Sequence, residues 1–491
     1  MPVTQEYIKQ LLSMIADLQD RMASMQQSMQ STIDSLNETI RTQQELIKEL
    51  QEKLNKNSKN SSKPPSSDGL KKQTKDRSLR EKTGKKQGGQ EGHEGVSLFS
   101  DRKPDNVIKH MPSRCTGCPH YAECLAKAKV TETRSVIDAK LETAVTAHCA
   151  MCVGCCPLDL KEHTGKFPDD IKAVVQYGDR LKALVVSLNT YGAISLNRIH
   201  EILGSVFSIP ISPATIASMV SGCAKNIRSV LDRIREPLLD SCTAHCDETG
   251  IRVDKKTIWA HVFSNEDYTY LTLSRKRGKK GMDESGMLPL YHGIAIHDCW
   301  QPYWKYTDAT HAVCGAHLLR ELKGMEENYP EQTWHKCFAD LLMKMKKLKD
   351  KAVAKGCEAV SYYHLHKFSR FYDEIIVKAC EENPLPEVTE KKRGRKKKGK
   401  ARALIERLRD LKEAVMLFLK DFRVDFDNNL AERDLRVIKV KTKVSGCFRT
   451  YEGAEEYLTI MSYTGTARKQ RKNAYEAIYN AVIGNPEFIF R

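Results

Sequence analysis

The sequence lacks any apolar run long enough to cross a membrane. The run "LKALVVSL" at 181–188 has the length of a core helix, whereas a membrane span needs about 20 apolar residues. A signal peptide is also missing, because polar Thr4, Gln5 and Glu6 precede an amphipathic pattern and not an apolar block. We therefore expect no membrane association and no secretion, and we place the protein in the cytoplasm.

Acidic residues are in deficit. The chain has 63 Asp and Glu against 80 Lys and Arg, which gives a net charge of +17. So much positive charge opposes compaction unless an anionic partner offsets it, and its clustering favours a polyanion such as nucleic acid over a role in solubility alone. At 491 residues the chain is too long for one ordinary core, and roughly two to four units are expected.

Cysteines are plentiful, and in a reducing cytosol the 16 thiols should be free or bind metal. Two pairs with the spacing Cys-x-x-Cys, Cys115/Cys118 and Cys149/Cys152, suit one tetrahedral zinc ion, because each tight turn directs two thiolates at the metal. We predict these four as zinc ligands, with reduced core cysteines as the alternative. The identity of the fourth ligand stays open, because the segment holds three further cysteines: Cys124, Cys155 and Cys156.

The N-terminal segment repeats apolar residues every seven positions, which is typical of a coiled coil. The seam shifts by four residues after Met29, a stutter that locally unwinds a supercoil. Self-association is therefore expected, and a lone amphipathic helix is the alternative. The seam residues before and after the shift are Ile8, Ile15, Met22 and Met29, then Ile33, Ile40, Ile47 and Leu54. The following "NKNSKNSSKPPSSDGLKKQTKD" predicts a flexible basic linker that either lies along phosphates or only tethers.

The segment "YGAISLNRIHEILGSVFSIPISPATIASMV" predicts two helices around a short turn. Ser212 suits the N-cap of the second helix and Pro213 its first position. A DNA-binding helix-turn-helix and a plain helical hairpin both fit. Strands follow, because "TIWAHVF" and "YTYLTLS" alternate around the turn "SNED", and "GIAIHD" is a short buried run. From Ala316 to Lys420, and again at the C-terminus, helices are expected.

Three carboxylates stand where a nuclease would need them. One strand ends at Asp247, a later strand ends at Asp298, and Glu432 lies on a helix that Asp427 or Asn428 would cap. This order is the layout of RNase-H-like nucleases. Gathered carboxylates repel unless cations neutralise them, and oxygen ligands select Mg²⁺ or Mn²⁺. Two such ions about 3.5–4 Å apart promote in-line phosphoryl transfer. Strand alternation gives Glu248 the opposite facing, so Asp247 is the predicted ligand.

Several blocks of the sequence resemble the transposases of the IS sixty-six insertion-sequence family (TnpC type). They are "HCDETGIRV", "GIAIHDCWQPYWKY", "AVCGAHLLREL" and "FDNNLAERDLRVIKVKTKVSGCFRTYEGAEEYLTIMSYTGTARKQ", together with "NSKNSSKPPSSD" and "GGQEGHEG". The resemblance implies a DDE transposase with Asp247, Asp298 and Glu432 as the catalytic triad. The family commonly has glycine after the second Asp, where Cys299 stands here. Cys314-x-x-His317 resembles an accessory motif of DDE families, for which site shaping, DNA contact and a buried structural role are all open.

Basic residues near the predicted site fit a DNA groove. Arg436 and Lys439 lie one and two turns beyond Glu432 on the same helix face. Cations flank the turn "SGCF": Lys441, Lys443 and Arg449. These five are predicted to bind DNA phosphates in a salt-sensitive manner, with a solvated helix face as the alternative. The run "KRGRKK" suggests a further nonspecific phosphate contact or a loop. The aromatic residues after Asp298 fit packing better than stacking on a base.

The sequence thus predicts a mainly α, multidomain chain with an α/β RNase-H-like core that a helical insertion interrupts. The order is a coiled coil (1–56), a basic flexible linker (57–105), a zinc-binding module (106–168), a helical DNA-binding domain (169–240), the first part of the core (241–315), the helical insertion with a basic loop at 391–400 (316–422), and the second part of the core with C-terminal helices (423–491).

The function expected from this order is cleavage at element ends and strand transfer by a bacterial, nucleoid-associated transposase. Two Mg²⁺ (or Mn²⁺) ions, a structural Zn²⁺, double-stranded DNA at the terminal inverted repeats and target, a second copy of the chain, and the companion proteins TnpA and TnpB would be its cofactors and partners. An inactive DNA-binding regulator and an RNase-H-like nuclease without strand transfer are the alternatives.

Overall fold

A computed structural model describes residues 5–57, 60–61, 107–115, 117–130, 142–153, 158, 162–385 and 399–490. Most of the predicted linker, Cys155, Cys156 and most of the basic loop at 391–400 lie outside the described residues. The chain divides into two compact units. One comprises Gln73–Gln176 and His200–Ser212, and the other comprises Met1–Lys72, Tyr177–Ile199 and Pro213–Arg491.

A single long helix, α1 (Gln5–Asn55), opens the second-named unit and confirms the predicted helical segment. Its apolar seam is exposed, as at Ile8 (46%) and Met22 (60%), so the coiled coil with another copy remains a prediction. The C-terminal end of α1 is anchored: the Tyr329 hydroxyl donates to buried Glu52 at 2.6 Å, and Lys48 lies over the Tyr329 ring. The long helix is therefore attached to its unit at one end.

The smaller unit contains little regular structure in its described residues. A 3-10 turn covers Ser113–Cys115, and α2 covers Tyr121–Lys127. The short strands β1 (Cys152–Val153) and β2 (His163–Thr164) pair in antiparallel fashion. Two of the predicted zinc cysteines thus lie on a turn and a hairpin.

Helices dominate the larger unit, as the sequence predicts, and none of those in the described ranges has the length and apolarity of a membrane span. Its helices before the sheet are α3 (Asp179–Asn189), α4 (Leu196–Phe207, which ends in the smaller unit), α5 (Pro213–Arg228) and α6 (Asp232–Leu239). α5 begins at Pro213 as predicted. Whether α4 and α5 act as a DNA-binding helix-turn-helix stays a prediction.

A mixed five-stranded sheet forms the centre of the larger unit. Its strands are β3 (Thr243–Val253), β4 (Lys256–Ser264), β5 (Thr269–Ser274), β6 (Ile294–His297) and β7 (Thr310–Val313). The spatial order is β5-β4-β3-β6-β7; β3, β4 and β5 are antiparallel neighbours, whereas β6 and β7 run parallel to β3. The strand predicted to end at Asp247 continues to Val253. It turns there through Asp254 and Lys255, both with positive φ, as a two-residue hairpin requires.

The two faces of this sheet carry different layers. Ile251 and Val253 of β3 pack with α13 (Asn429–Ser445) and α14 (Tyr451–Lys469). Ala244 and Cys246 face the opposite core, which includes Met282 of α7 (Lys279–Ser285). Because side chains alternate along a strand, Asp247 lies on the α13 face and Glu248 on the opposite face. This alternation agrees with the choice of Asp247 as the residue facing the site.

The predicted helical insertion consists of packed helices, with one end of its core on the sheet. They are α8 (Gly315–Asn328), α9 (Trp334–Val353), α10 (Tyr362–Glu382), α11 (Lys400–Asp410) and α12 (Lys412–Lys420). Their buried side chains form one cluster with Ile296 and Val313 of β6 and β7. After α14, the helix α15 (Ala474–Val482) packs with α3 and α5. The insertion is thus fastened to the strands that bracket Asp298.

Candidate active site

Strand register brings the first two predicted carboxylates together. In the parallel pair of β3 and β6, Thr243 lies beside Ile294 and His245 beside Ile296. Continuing this register by two residues puts Asp247 beside Asp298, which directly follows the last residue of β6. Equivalent positions in paired strands point to the same face, so this extended register would direct Asp298 to the α13 side, as it does Asp247.

Asn428 fixes the start of the helix that carries the third carboxylate. Its side-chain amide donates to the Cys246 carbonyl at 2.8 Å, and its Oδ1 lies 2.9 Å from His245 Nδ1. It occupies the cap position of α13 without capping through its side chain, whereas Asp427 Oδ1 accepts the Asn429 N–H. Asn428 thus ties α13 to the strand one residue before Asp247. Glu432 follows in the first turn of that helix.

The carboxylates interact electrostatically. Burial raises the pKa of Asp247 well above its usual value, and the negative charges of Glu248, Asp298 and Glu432 raise it further. The charges that act on Asp247 therefore come from its neighbour Glu248 and from two distant parts of the sequence, Asp298 and Glu432. Such a group accepts a proton or a cation readily, because either one relieves the repulsion.

Glu432 is paired with Arg320 of α8 and lies near His317 of the same helix. Arg320 Nη2 donates to Glu432 Oε1 at 3.1 Å, and His317 Nε2 lies 3.8 Å from the same oxygen. Burial, followed by the charge of Arg320, lowers the pKa of His317, while its buried Nδ1 has no hydrogen-bond partner. The accessory motif therefore adjoins the third carboxylate.

Cys314, the other member of the accessory motif, has a structural contact. Its sulfur accepts the backbone N–H of Asn428 at 3.1 Å, and burial raises the pKa of the thiol to about 12. A buried, protonated thiol is an unfavourable metal ligand. Cys314 thus helps to position the start of α13.

The donor set fits a hard divalent cation in its chemistry, because Asp247, Asp298 and Glu432 supply carboxylate oxygens. Within the described residues, however, no three His, Cys, Asp or Glu side chains form a ready-made metal site. The pairing of Glu432 with Arg320 is consistent with this observation, since the guanidinium engages the oxygen that a cation would use.

Glu248 lies among different partners on the opposite face of β3. It accepts hydrogen bonds from Tyr303 Oη at 2.8 Å and from Arg277 Nη2 at 3.1 Å. Burial and the charge of Asp298 raise its pKa, and these two donors oppose the shift. Glu248 therefore connects β3 to the segment that follows Asp298.

Cys299, directly after Asp298, has a backbone conformation that usually favours glycine. Cys299 has φ of +71°, a conformation that glycine adopts without strain. Its N–H donates to His297 Nδ1 at 3.1 Å, and the Trp300 N–H donates to Asp298 Oδ1 at 3.0 Å. His297 Nε2 lies 3.0 Å from His311 Nδ1, which continues the chain of contacts to β7. The turn is thus specified by its hydrogen bonds although the residue is not glycine.

Four of the five cations predicted to bind DNA are exposed: Arg436, Lys439, Lys443 and Arg449. Lys441 differs, because its ammonium is buried and donates to the carbonyls of Asn189 at 2.7 Å and Ile194 at 3.0 Å. Burial lowers the pKa of Lys441 to about 8. Its charge is used inside the fold, so we remove Lys441 from the expected phosphate contacts.

The four cysteines predicted to bind zinc do not form a ready-made metal site among the described residues. Cys115 and Cys118 are half-buried near the 3-10 turn, whereas Cys149 and Cys152 are exposed. Cys152 Sγ lies 3.2 Å from Glu162 Oε1. No described group of three or more potential ligands includes them. Zinc binding by this module stays a prediction.

Sequence reasoning missed three features around the carboxylates: Asn428 as an anchor, Arg320 as the partner of Glu432, and a basic turn at 275–280. The run "RKRGKK" was a readable signal for the last, because such charge clusters are typical of phosphate-binding surfaces. The aromatic residues after Asp298 pack as expected, with Tyr303 and Tyr306 buried.

A mainly helical chain whose small mixed sheet gathers acidic side chains has the architecture expected of a transposase core. The family model described as "Transposase IS66 family" matches residues 174–456, which is more than half of the chain. The protein therefore belongs to the IS66 transposase family, as the quoted sequence blocks predicted. Residues 6–98 match a "Family of unknown function (DUF6444)". No curated protein matches this chain.

Proposed function

We propose that this transposase uses Asp247, Asp298 and Glu432 to cut DNA at the ends of an insertion sequence and to join the ends to target DNA. The observation that carries the proposal is the convergence of three chain segments. The register of β3 with β6 and the anchoring of α13 by Asn428 support the proposal, because they bring the segments that carry the three carboxylates to one part of the sheet. The strand order, three antiparallel strands followed by two parallel ones, agrees with an RNase-H-like core.

The three carboxylates would hold two Mg²⁺ or Mn²⁺ ions. Bound divalent ions activate water or a 3′-hydroxyl as the nucleophile and stabilise the leaving oxygen. The chain itself sets the positions of the ligands: hydrogen bonds fix Asp298 and its turn, and Asn428 fixes the helix of Glu432. Arg320 pairs with Glu432 and offsets the charge of that carboxylate.

Double-stranded DNA is the proposed substrate, both as the terminal inverted repeats of the element and as its target. The exposed cations Arg436, Lys439, Lys443 and Arg449 follow Glu432 along α13 and into the next turn, so they are placed to contact phosphates. Pairing of two ends would use self-association through α1, and the cysteine module would bind zinc. The companion proteins TnpA and TnpB are further proposed partners, and the site of action is the bacterial nucleoid.

Cleavage of a labelled element-end duplex tests the catalytic proposal. We expect Mg²⁺-dependent nicking by the wild type and a loss of at least about 1000-fold in Asp298→Asn, because one metal ligand is replaced by a neutral amide. Asp308→Asn is the matched control, since Asp308 is exposed ten residues later, and its activity should remain at the wild-type level. Equal cleavage by Asp298→Asn would refute the assignment.

Strand transfer distinguishes the two alternatives. A transposase should insert a labelled, pre-cleaved 3′ end into a plasmid, whereas a simple nuclease would cut and not join. An inactive DNA-binding regulator would do neither, yet would still retard the element-end duplex in a gel. The substrate is best taken from inverted repeats in the DNA that flanks the reading frame.

A further inference from the structure

A second basic surface lies next to Glu248, on the face of the sheet that does not carry α13. We call it the basic turn: residues 275–280, "RKRGKK", which follow β5 and include the first two residues of α7. Its cations, all exposed, are Arg275, Lys276, Arg277, Lys279 and Lys280. Two of these charges are offset within the chain, Arg277 by Glu248 at 3.1 Å and Lys279 by Asp283 at 2.9 Å. The other three cations, so close together, favour the binding of an external anion.

Arg277 attaches this turn to the site. Its guanidinium lies between the rings of Trp259 and Trp300, 4.5 Å and 4.1 Å from their centroids, and donates to Glu248 at 3.1 Å. Trp300 donates its backbone N–H to Asp298, and Glu248 follows Asp247 in the strand. The basic turn is therefore fixed within a few residues of two of the three carboxylates.

Two glycines set the shape of the turn. Gly278 has φ of +79°, a conformation that glycine adopts without strain. A Cβ on Gly281 would lie 2.2 Å from the Lys276 carbonyl oxygen, so only glycine fits. A rigid loop loses little conformational freedom when it binds a ligand, which favours recognition by a preformed surface.

The basic turn also continues toward the cations beyond α13. The Arg275 guanidinium lies 4.8 Å from the centroid of the Tyr451 ring, and Tyr451 follows Arg449 by two residues. The Tyr451 hydroxyl in turn donates to the Leu273 carbonyl of β5 at 3.0 Å. Tyr451 thus connects the turn to the segment that carries the exposed residue Arg449.

We propose that the basic turn binds the phosphate backbone of double-stranded DNA beside the carboxylates. This inference rests on the proposed function and identifies which surface carries the DNA past the reacting bond. Lys276 and Lys280 would neutralise phosphates, while Arg277, held by Glu248 and the two indole rings, sets where they lie. The contacts involve charge and not base edges, so this part of the binding is independent of sequence.

The salt dependence of DNA binding tests the inference without requiring catalysis. Fluorescence anisotropy with a short random-sequence duplex in EDTA gives the affinity at several salt concentrations. In Lys276→Gln/Lys280→Gln we expect the slope of log K against log salt to become shallower by about 1.8, because each lost phosphate contact removes about 0.9. The affinity at about 0.1 M salt should fall at least about tenfold.

Lys9→Gln/Arg21→Gln is the matched control. It removes the same charge from exposed positions of α1, and Lys9 lies roughly 65 Å along the helix from the anchored Glu52. Its slope should equal that of the wild type. An equal change of slope in both double variants, or none in the variant of the turn, would overturn the inference.

The outcome is separable from the test of catalysis. Asp298→Asn should bind DNA with the wild-type slope even though it cannot cleave. The wild type could prove catalytically inactive while Lys276→Gln/Lys280→Gln still shows the shallower slope of log K against log salt. In that case the DNA-binding role of the turn stands, and only the enzymatic proposal is lost. Arg277→Gln provides a second variant, and its affinity should fall at least as much because the turn also loses its anchor on Glu248.

Discussion

Asn428 and His245 meet in the interior, with Asn428 Oδ1 2.9 Å from His245 Nδ1. The two residues are 183 positions apart in the sequence, and Asn428 is fully buried. His245 Nε2 also lies 3.3 Å from Asp425, so the imidazole is held between two positions of the segment that precedes α13. This contact connects the strand of Asp247 to the helix of Glu432.

Replacing Asn428 by alanine should destabilise the protein by about 2–4 kcal/mol, because the Cys246 carbonyl and the His245 ring nitrogen would lose their buried partner. Urea unfolding measures the change in the free energy of unfolding. Asn429→Ala is the control, since Asn429 is exposed, and it should cost less than about 0.5 kcal/mol. Similar costs at both positions would show that Asn428 is not the anchor.

Replacing Arg320 by glutamine should strengthen Mg²⁺ binding in the absence of DNA. Arg320 competes with a cation for Glu432, and an ion pair worth roughly 1 kcal/mol corresponds to about a fivefold change in affinity. Calorimetric titration with Mg²⁺ gives the dissociation constant. Lys323→Gln removes an exposed charge one turn further along α8 and should leave it unchanged. Weaker or equal binding by Arg320→Gln would contradict the role of Glu432 as a ligand.

Glycine should be better tolerated than alanine at position 299. Cys299 has φ of +71°, where any side chain costs about 1 kcal/mol relative to glycine, so Cys299→Gly should exceed Cys299→Ala in stability by about that amount. Cys246 lies in the extended strand β3 and is the control. There the order should reverse, with alanine more stable by about 0.5–1 kcal/mol. Thermal melting of the four variants checks both orders.

Stability should depend on pH through Lys441. Its pKa falls to about 8 in the folded state because of burial, whereas the unfolded chain has the ordinary value near 10.5. Between these values the unfolded chain binds more protons, so the free energy of unfolding rises with pH, by up to about 1.4 kcal/mol per pH unit. The penalty is fully present below pH 8 and is relieved toward pH 10.5.

Urea unfolding at pH 8 and pH 9.5 tests the contribution of Lys441. Lys441→Met should show a smaller rise than the wild type, since it has no amine to titrate. Lys439→Met, at an exposed position two residues earlier, should keep the wild-type rise. An unchanged rise in Lys441→Met would mean that the buried amine does not control this dependence.

Local patterns in the sequence predicted part of this site. The short apolar run before Asp298 gave β6, and the polar Asp427-Asn428 pair marked the start of α13, because strand and cap signals are encoded within a few residues. The end of β3 was missed, since Asp254-Lys255 is a hairpin turn without glycine or asparagine.

Contacts between distant segments could not be predicted from local sequence patterns. A lysine inside a basic run is normally exposed, and the burial of Lys441 depends on carbonyls near residue 190 that no local pattern connects to it. The pairing of Arg320 with Glu432 spans 112 positions and likewise depends on how α8 packs beside α13. Such polar contacts are decided by tertiary packing, and each changes which residues remain available for DNA or metal.

The three proposed ligands differ in how freely they can move, because Asp247 lies inside strand β3. The main chain of Asp247 pairs with Val262 of β4, so the backbone that carries this carboxylate has little freedom to move. Asp298 stands one residue past its strand but is held by the Trp300 N–H, whereas Glu432 is a long side chain on a helix and has more rotational freedom. If the same site first cuts a strand and later joins it elsewhere, Glu432 would adjust between the two steps while Asp247 and Asp298 stay in place.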